Sequence, residues 1–204
     1  MNWPLLQNSL LVSTTASLAA LVWGVTVALF VSGLNARGRA VVLGLAVIAV
    51  ALPLFLVTST WINLLGQTGA WRRWLPLSIY SLGGAAWVMS LLLWPVPLFF
   101  TLAAWAQIPR NHIENEDALC GVALLRWILV PSAQTALGQA MIVTWVLALA
   151  NFAVPAILQV NVFPAELWIR FSTNFDFAGA AALSVPLILP PLCLAFGFRG
   201  RPLR

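Results

Sequence analysis

The chain has 204 residues, of which 62% are hydrophobic and only 7% charged, and its mean hydropathy is +0.97. A soluble domain carries roughly a quarter charged residues and about half apolar ones, so the composition excludes an ordinary water-soluble core and leaves an integral membrane protein. The ten basic residues are all arginine, set against five acids, and they are scattered between apolar runs rather than gathered in a stripe with exposed aromatics. That pattern fits membrane topology and sets nucleic-acid binding aside.

In chain order, five stretches have the length and apolarity of a spanning helix: 9–33, 41–61, 79–107, 136–158 and 178–198. Each is close to the roughly 20 residues that one crossing needs, and each is a continuous apolar run rather than the period-two alternation of a barrel strand. No basic residue precedes Arg37, so the first run reads as a retained span rather than a secretory leader. Small residues recur in the spans, at Ala19, Ala20, Gly24 and Ala28, at Gly83 to Ala86, and at Ala148 and Ala150. They let helix backbones approach where lipid offers no hydrophobic contrast. Pro53, Pro95, Pro97, Pro155, Pro186, Pro190 and Pro191 lie in or at the ends of the runs and predict kinks or breaks, a feature that can line a translocation path. No internal repeat is visible, so a pore with two-fold pseudosymmetry needs a second subunit.

An odd number of spans places the two ends of the chain on opposite sides. With the carboxyl terminus cytoplasmic, Arg37, Arg39, Arg110, Arg126, Arg199, Arg201 and Arg204 fall inside and only Arg72, Arg73 and Arg170 outside, a seven-to-three bias that obeys the positive-inside rule. The amino terminus is then outside. Arg72 and Arg73 stand beside Trp71 and Trp74, where arginines can snorkel within an interfacial aromatic cluster.

The polar loop 108–131 holds three of the five acids, two arginines and the single histidine, His112. Asn115 is an N-cap candidate with Glu116 and Asp117 in the following turn, where carboxylates suit the helix dipole. Ala118, Leu119, Val122 and Leu125 fall on one face, Gly121 leaves room for another chain, and Pro131 marks the return to the membrane. The loop therefore reads either as a solvated linker with an interfacial helix or as a docking helix for a partner.

Enzymatic readings fail on the inventory. There is no HExxH, GxSxG or GxxxxGK[ST] motif, and with no lysine at all the last is impossible. ATP-driven uptake would need its ATPase on another subunit. Glu166 and Asp176 fall in the loop between the fourth and fifth spans rather than at mid-membrane, which disfavours proton or sodium coupling. Cys120 and Cys193 are far apart and suggest neither a disulfide framework nor a metal site, and no cofactor is expected.

Several segments together resemble the permease subunits of bacterial binding-protein-dependent ABC importers of the EAA-loop type. LLQNSLLVSTTASLAALVWGVTVALFVSG is similar to the family's first core helix, with Gly24 and Ala28 at its middle. LPLFLVTSTWINLLGQTGAW is similar to its proline-led segment and LxGxxG turn, here Leu64, Gly66 and Gly69. ANFAVPAILQVNVFPAELWIRFSTNFDFAGAAALSVPLI looks most like the ferric-iron and thiamine subgroup.

The resemblance implies an all-α membrane protein of five transmembrane helices in the type I ABC importer permease fold, forming a single permease domain over 1–204. It implies a cytoplasmic coupling helix within 108–131 that docks on an ABC ATPase subunit. By position, Glu116, Asp117, Ala118 and Gly121 are the counterparts of the Glu-Ala-Ala and its glycine, flanked by Asn115, Arg126 and Pro131. Glu116 and Gly121 stand five apart where the family spaces six. The implied partners are that ATPase, a second permease module, an extracytoplasmic substrate-binding protein and membrane lipid, in a bacterial inner membrane. The implied cargo is ferric iron. The competing reading is a membrane scaffold, or a degenerate permease half, that binds a partner through the same loop.

Overall fold

The computed structural model describes residues 3–74, 78–108 and 124–198, and among them every regular element is helical. The helices are α1 (Trp3–Ser32), α2 (Ala36–Ala51), α3 (Leu54–Leu65), α4 (Leu82–Leu93), α5 (Pro95–Trp105), a π turn (Leu125–Leu129) that runs directly into α6 (Val130–Ala150), the short α7 (Ala153–Ile157), α8 (Phe163–Ser172) and α9 (Phe177–Phe198). By length and composition α1 and the continuous helix Leu125–Ala150 each cross a membrane alone, and the pairs α2 with α3 and α4 with α5 qualify as bent spans. The outer surface is apolar: Val22, Phe30, Val41 and Phe55 are all more than 60% exposed. That is the surface a chain presents to lipid rather than to water, and the chain is a multi-pass membrane protein.

The first helix is the axis of the bundle. It packs against α4, α5 and α6, and apart from Val12 and Val31 the residues it buries are small: Ser9, Ser13, Ala16, Ser17, Ala20, Gly24 and Ala28. Their three- and four-residue spacing keeps them on one stripe, so backbones rather than side chains set the approach. Towards the α1 amino terminus a core of Val12, Ala16, Leu65, Val88, Met89, Val154 and Val162 joins α1, α3, α4 and α7, and at the other end Ala28, Val31, Ala46, Leu98 and Leu102 join α1, α2 and α5.

Three of the five apolar stretches are interrupted, each for a local reason. The stretch 41–61 is not one helix: Pro53 forces Leu52 to extended geometry (φ −65°, ψ 133°), and α2 and α3 meet at 100°. Within 79–107 the bend is 42° at Trp94, where Pro95 and Pro97 remove two amide donors but fit the first turn of α5. The stretch 136–158 ends its helix at Ala150, because Asn151 leaves the helix (φ −81°, ψ 110°) and its carboxamide accepts the Val154 N–H at 3.3 Å, starting α7.

At its amino end that fourth helix begins earlier than 136. Pro131 lies inside a continuous helix from Leu125 rather than at a boundary, and the π turn before it widens the backbone around its ring.

Candidate functional site

The sequence points to the region around 108–131, and the structure describes its two flanks. Asn115, Glu116, Asp117, Ala118 and Gly121, with His112 and Cys120, lie outside the described residues, so the described part of the candidate site is Arg126, Pro131 and what they touch. On the amino side α5 ends at Trp105, and the amides that follow it close a tight turn: Ala106 N–H bonds Leu102 O at 3.0 Å and Gln107 N–H bonds Ala104 O at 3.1 Å. On the carboxyl side the chain enters the π turn, in which the Val130 N–H reaches back five residues to Leu125 O.

A π turn beside a proline has a simple cause. Pro131 has no N–H, so one carbonyl a turn earlier lacks an amide in any register, and widening the helix relieves the ring's clash with the preceding turn. The Leu129 carbonyl at the end of the π turn takes two side-chain donors. Ser132 Oγ donates to it at 3.0 Å, and so does Trp105 Nε1 at 2.9 Å from across the loop. Arg126 is exposed, with its guanidinium 5.9 Å from the Trp127 ring centroid, and Trp127 is itself 68% exposed. No acid partner is recorded for Arg126 among the described residues. The two flanks of the loop are therefore joined at their base by an indole that no sequence motif marks.

The opposite end of the bundle is also tied. Ser9 Oγ donates to Leu5 O and accepts the Phe163 N–H at 2.8 Å, while Asn8 Nδ2 donates to Asn161 O at 3.1 Å. These bonds hold the head of α1 to the segment before α8. Glu166, Arg170 and Asp176, singled out as loop charges, are spent on one another at 3.2 and 3.7 Å. Asp176 also caps α9 by accepting the Gly179 N–H at 2.9 Å.

Between these ends the interior has few interhelical polar bonds. Ser13, Ser17, Thr58, Ser90 and Thr101 each donate to a carbonyl three or four residues back in their own helix, which satisfies a hydroxyl where no water can. Thr144 Oγ1 is buried without a partner.

Trp87 stands between Trp23 and Trp61 in edge contacts, with centroids 6.1 and 6.4 Å apart, linking α1, α3 and α4. Next to it a groove of about 420 Å³ opens between α1 and α4, lined by Thr15, Ala19, Gly83, Ala86, Trp87 and Ser90 among others. Its lining carries no charge. Among the described residues no group of three or more His, Cys, Asp or Glu side chains is placed to hold a metal ion.

No protein-family model matches the chain. A probable molybdenum ABC transporter permease protein of Haloferax volcanii is 24% identical over 182 residues, covering 86% of this chain and 67% of that protein. Among solved structures, an inward-facing conformation of the MetNI methionine ABC transporter superposes with a TM-score of 0.77 at 16% identity, covering 97% of this chain and 96% of that one. A bacterial alginate ABC transporter, in complex with a periplasmic protein bound to an alginate pentasaccharide, superposes at 0.72 and 13% identity, covering 95% of this chain and 75% of that one. The resemblance to the ferric-iron and thiamine subgroup finds no support among these neighbours, which carry molybdenum, methionine and alginate in their names. Nearly end to end, the chain has the all-α fold of the ABC importer permeases.

Proposed function

We propose that the chain is a membrane permease subunit of an ATP-driven importer, with the five apolar segments forming half of a solute pathway. The observation that carries this is the whole-length superposition on the MetNI transporter, in which nearly every residue of both chains takes part. A relative named as a permease at 24% identity supports the same reading. The chain brings no ATPase motif, so hydrolysis belongs to a separate ABC subunit, and the loop 108–131 is the segment that docks on it through Asn115, Glu116, Asp117, Ala118 and Gly121. A second permease module completes the pathway, an extracytoplasmic binding protein delivers the solute, and alternating access follows from a docking free energy that differs between the ATPase's nucleotide states.

The orientation in this reading places the amino terminus outside and the carboxyl terminus in the cytoplasm of a plasma membrane. Arg37 and Arg39 fit it well. They occupy the opening turn of α2, capped by Asn35, where a cation opposes the helix dipole, and headgroup phosphates on the cytoplasmic side offset that cost. The cargo is a separate matter. The relatives are named for molybdenum, methionine and alginate, so the likeness leaves the cargo open, and it gives ferric iron no support as the substrate.

The test is purification of the tagged chain from its native membranes in mild detergent, with mass spectrometry of what accompanies it. Recovery of a P-loop ATPase, lost when Glu116, Asp117 and Gly121 are replaced together by bulky cationic residues, supports the reading. Recovery of the chain with no ATPase overturns it.

A further inference from the structure

We propose that the turn 66–74, which follows α3, binds an anionic phospholipid: Arg72 and Arg73 engage the headgroup phosphate, while Trp71 and Trp74 seat the turn where headgroups meet acyl chains. The site is separate from the permease role proposed above, and it accounts for the two arginines that run against the charge bias of the chain.

The turn is built by the end of α3. The Gly66 N–H closes on Ile62 O, and the chain then folds back so that the Trp71 N–H bonds Leu64 O at 2.9 Å. Bonds from Gly69 N–H to Gly66 O, Arg72 N–H to Gly69 O and Trp74 N–H to Trp71 O, at 3.0, 3.2 and 3.0 Å, complete the fold. Neither glycine has room for a side chain, since a Cβ on Gly66 would collide with Ile62 O and one on Gly69 with Leu64 O. The backbone is thus paired with itself, and Trp71, Arg72, Arg73 and Trp74 all stand exposed, Trp74 at 84%. A site whose backbone is already folded loses little freedom when a ligand arrives.

The surroundings say what that ligand is. Leu65, at the end of α3, packs in one core with Val12 of α1 and with Val162, so the turn leaves the bundle at the end where the head of α1 is tied to the segment before α8. Trp3 and Trp168 are exposed at that same end, and tryptophans gathered at one end of a spanning bundle mark the level of the lipid headgroups. The exposed side chains leading to the turn agree. They are apolar at Leu54, Phe55 and Leu56, then polar at Thr60 and Asn63 and at Gln67 and Thr68, the order met in passing from hydrocarbon to headgroups, so the turn continues the lipid-facing surface of α3.

Charge completes the case. The acids among the described residues, Glu166 and Asp176, are held by Arg170 at 3.2 and 3.7 Å, and among those residues no acid partner is recorded for Arg72 or Arg73. Two adjacent cations at the edge of an apolar medium require a counter-charge, and phosphate is the anion present at that level, with a shape that a guanidinium fork matches. A zwitterionic headgroup brings its own ammonium to cancel its phosphate, so a lipid of net negative charge is the better partner for two arginines. Acids of a docking protein would answer the charge but not the two flanking indoles, which lipid satisfies together with it.

The experiment uses the full-length chain, extracted from its native membranes in mild detergent with the subunits that accompany it and stripped of bound lipid. Native mass spectrometry follows its binding of phosphatidylglycerol, of phosphatidylcholine and of inorganic phosphate. The parent is expected to take its first phosphatidylglycerol roughly 25-fold more tightly than phosphatidylcholine, about fivefold for each arginine. Arg72→Gln and Arg73→Gln each lose about fivefold of that preference and together abolish it. Trp74→Ala weakens both lipids alike, and Arg126→Gln, an exposed arginine at the other end of the molecule, leaves the preference in place. Thermal unfolding without lipid is expected to be the same in every variant, because the substituted side chains are exposed, and if the double variant unfolds the single variants decide.

An unchanged preference in the arginine variants overturns the site. An equal loss in Arg126→Gln assigns the preference to overall charge and also overturns it. Displacement of phosphatidylglycerol by inorganic phosphate at equal concentration makes the turn a free-anion site rather than a lipid site. If the double variant keeps its lipid preference but sheds an accompanying subunit in a salt wash, the turn docks a protein and the proposal falls.

Discussion

Gly24 is a position in α1 where an added methyl group would run into the kinked start of α5. A Cβ there would lie 2.7 Å from Pro97 Cγ and 2.8 Å from both Leu98 N and Trp94 O, two of which are backbone atoms that have nowhere to go. Gly24→Ala is expected to lower the unfolding midpoint in detergent by an amount corresponding to about 1–3 kcal/mol of overpacking, with Gly24→Leu failing to accumulate in the membrane; scanning fluorimetry on the purified variants checks both. Thr144 should behave in the opposite way. Its hydroxyl is buried and unpaired, so Thr144→Val removes a desolvated group at constant shape and should leave stability unchanged or raise it by up to about 1 kcal/mol. Thr101→Val serves as the contrast, since Thr101 Oγ1 donates to Pro97 O at 2.6 Å within the kinked start of α5, and its loss should cost about 0.5–1.5 kcal/mol. The small-residue pattern made Gly24 legible in the sequence as a close-packing position. Its contact with the kink was not, because Pro95 and Pro97 are 71 and 73 residues away in the chain and nothing local links them. Trp105 was invisible for a different reason: its partner is a backbone carbonyl, which every residue has and no sequence marks.

At the scale of elements, hydropathy located the apolar stretches and prolines marked where they would bend, but neither fixed the angle. Pro53 requires a break, yet the 100° between α2 and α3 depends on where α3 packs, against α4 and α7 through Trp61, Ile62 and Leu65. Asn151 was absorbed into an apolar run because averaging over about 20 residues hides one polar side chain, whereas the chain uses that side chain to end α6 and begin α7. The LxGxxG segment does form a compact turn. Gly66 N–H bonds Ile62 O at 2.7 Å and Trp71 N–H bonds Leu64 O at 2.9 Å, and a Cβ on Gly69 would collide with the Leu64 backbone. The tie between α1 and the segment before α8 makes an element-level prediction. Ser9→Ala leaves the buried Phe163 N–H without its acceptor, which should cost about 1–3 kcal/mol and speed amide exchange selectively around 159–165, measured by hydrogen exchange and mass spectrometry. Equal protection in the variant and the parent would show that the segment is held by packing alone.

For the molecule as a whole, the proposed orientation is open to a direct check. Cysteines introduced at Asn161 and Gly200, in a background lacking Cys120 and Cys193, should react with a membrane-impermeant maleimide from outside in the first case and only after permeabilisation in the second. The reverse pattern would invert every assignment of inside and outside, including the side on which the loop 108–131 is proposed to dock. Architecture was more legible than site because the placing and order of the apolar stretches follow from hydrophobic run length, a property summed over many residues. The proposed coupling residues rest on a few side chains in one loop, of which Arg126 and Pro131 are described, Pro131 within the continuous helix Leu125–Ala150.

The distribution of hydrogen bonds along α1 bears on how such a bundle could work. Side-chain bonds tie it to its neighbours near its head, through Asn8 and Ser9 and again where Trp145 Nε1 donates to Thr14, whereas further along Ser17 and Thr26 bond only within α1 itself and Ala20, Gly24 and Ala28 offer nothing but surface. A seam of this kind is a bearing: its two faces hold each other by shape, and they can glide by a fraction of a residue without any polar partner being abandoned in the apolar interior. The helix is anchored at one end and lubricated along its length, which suits a lever better than a strut.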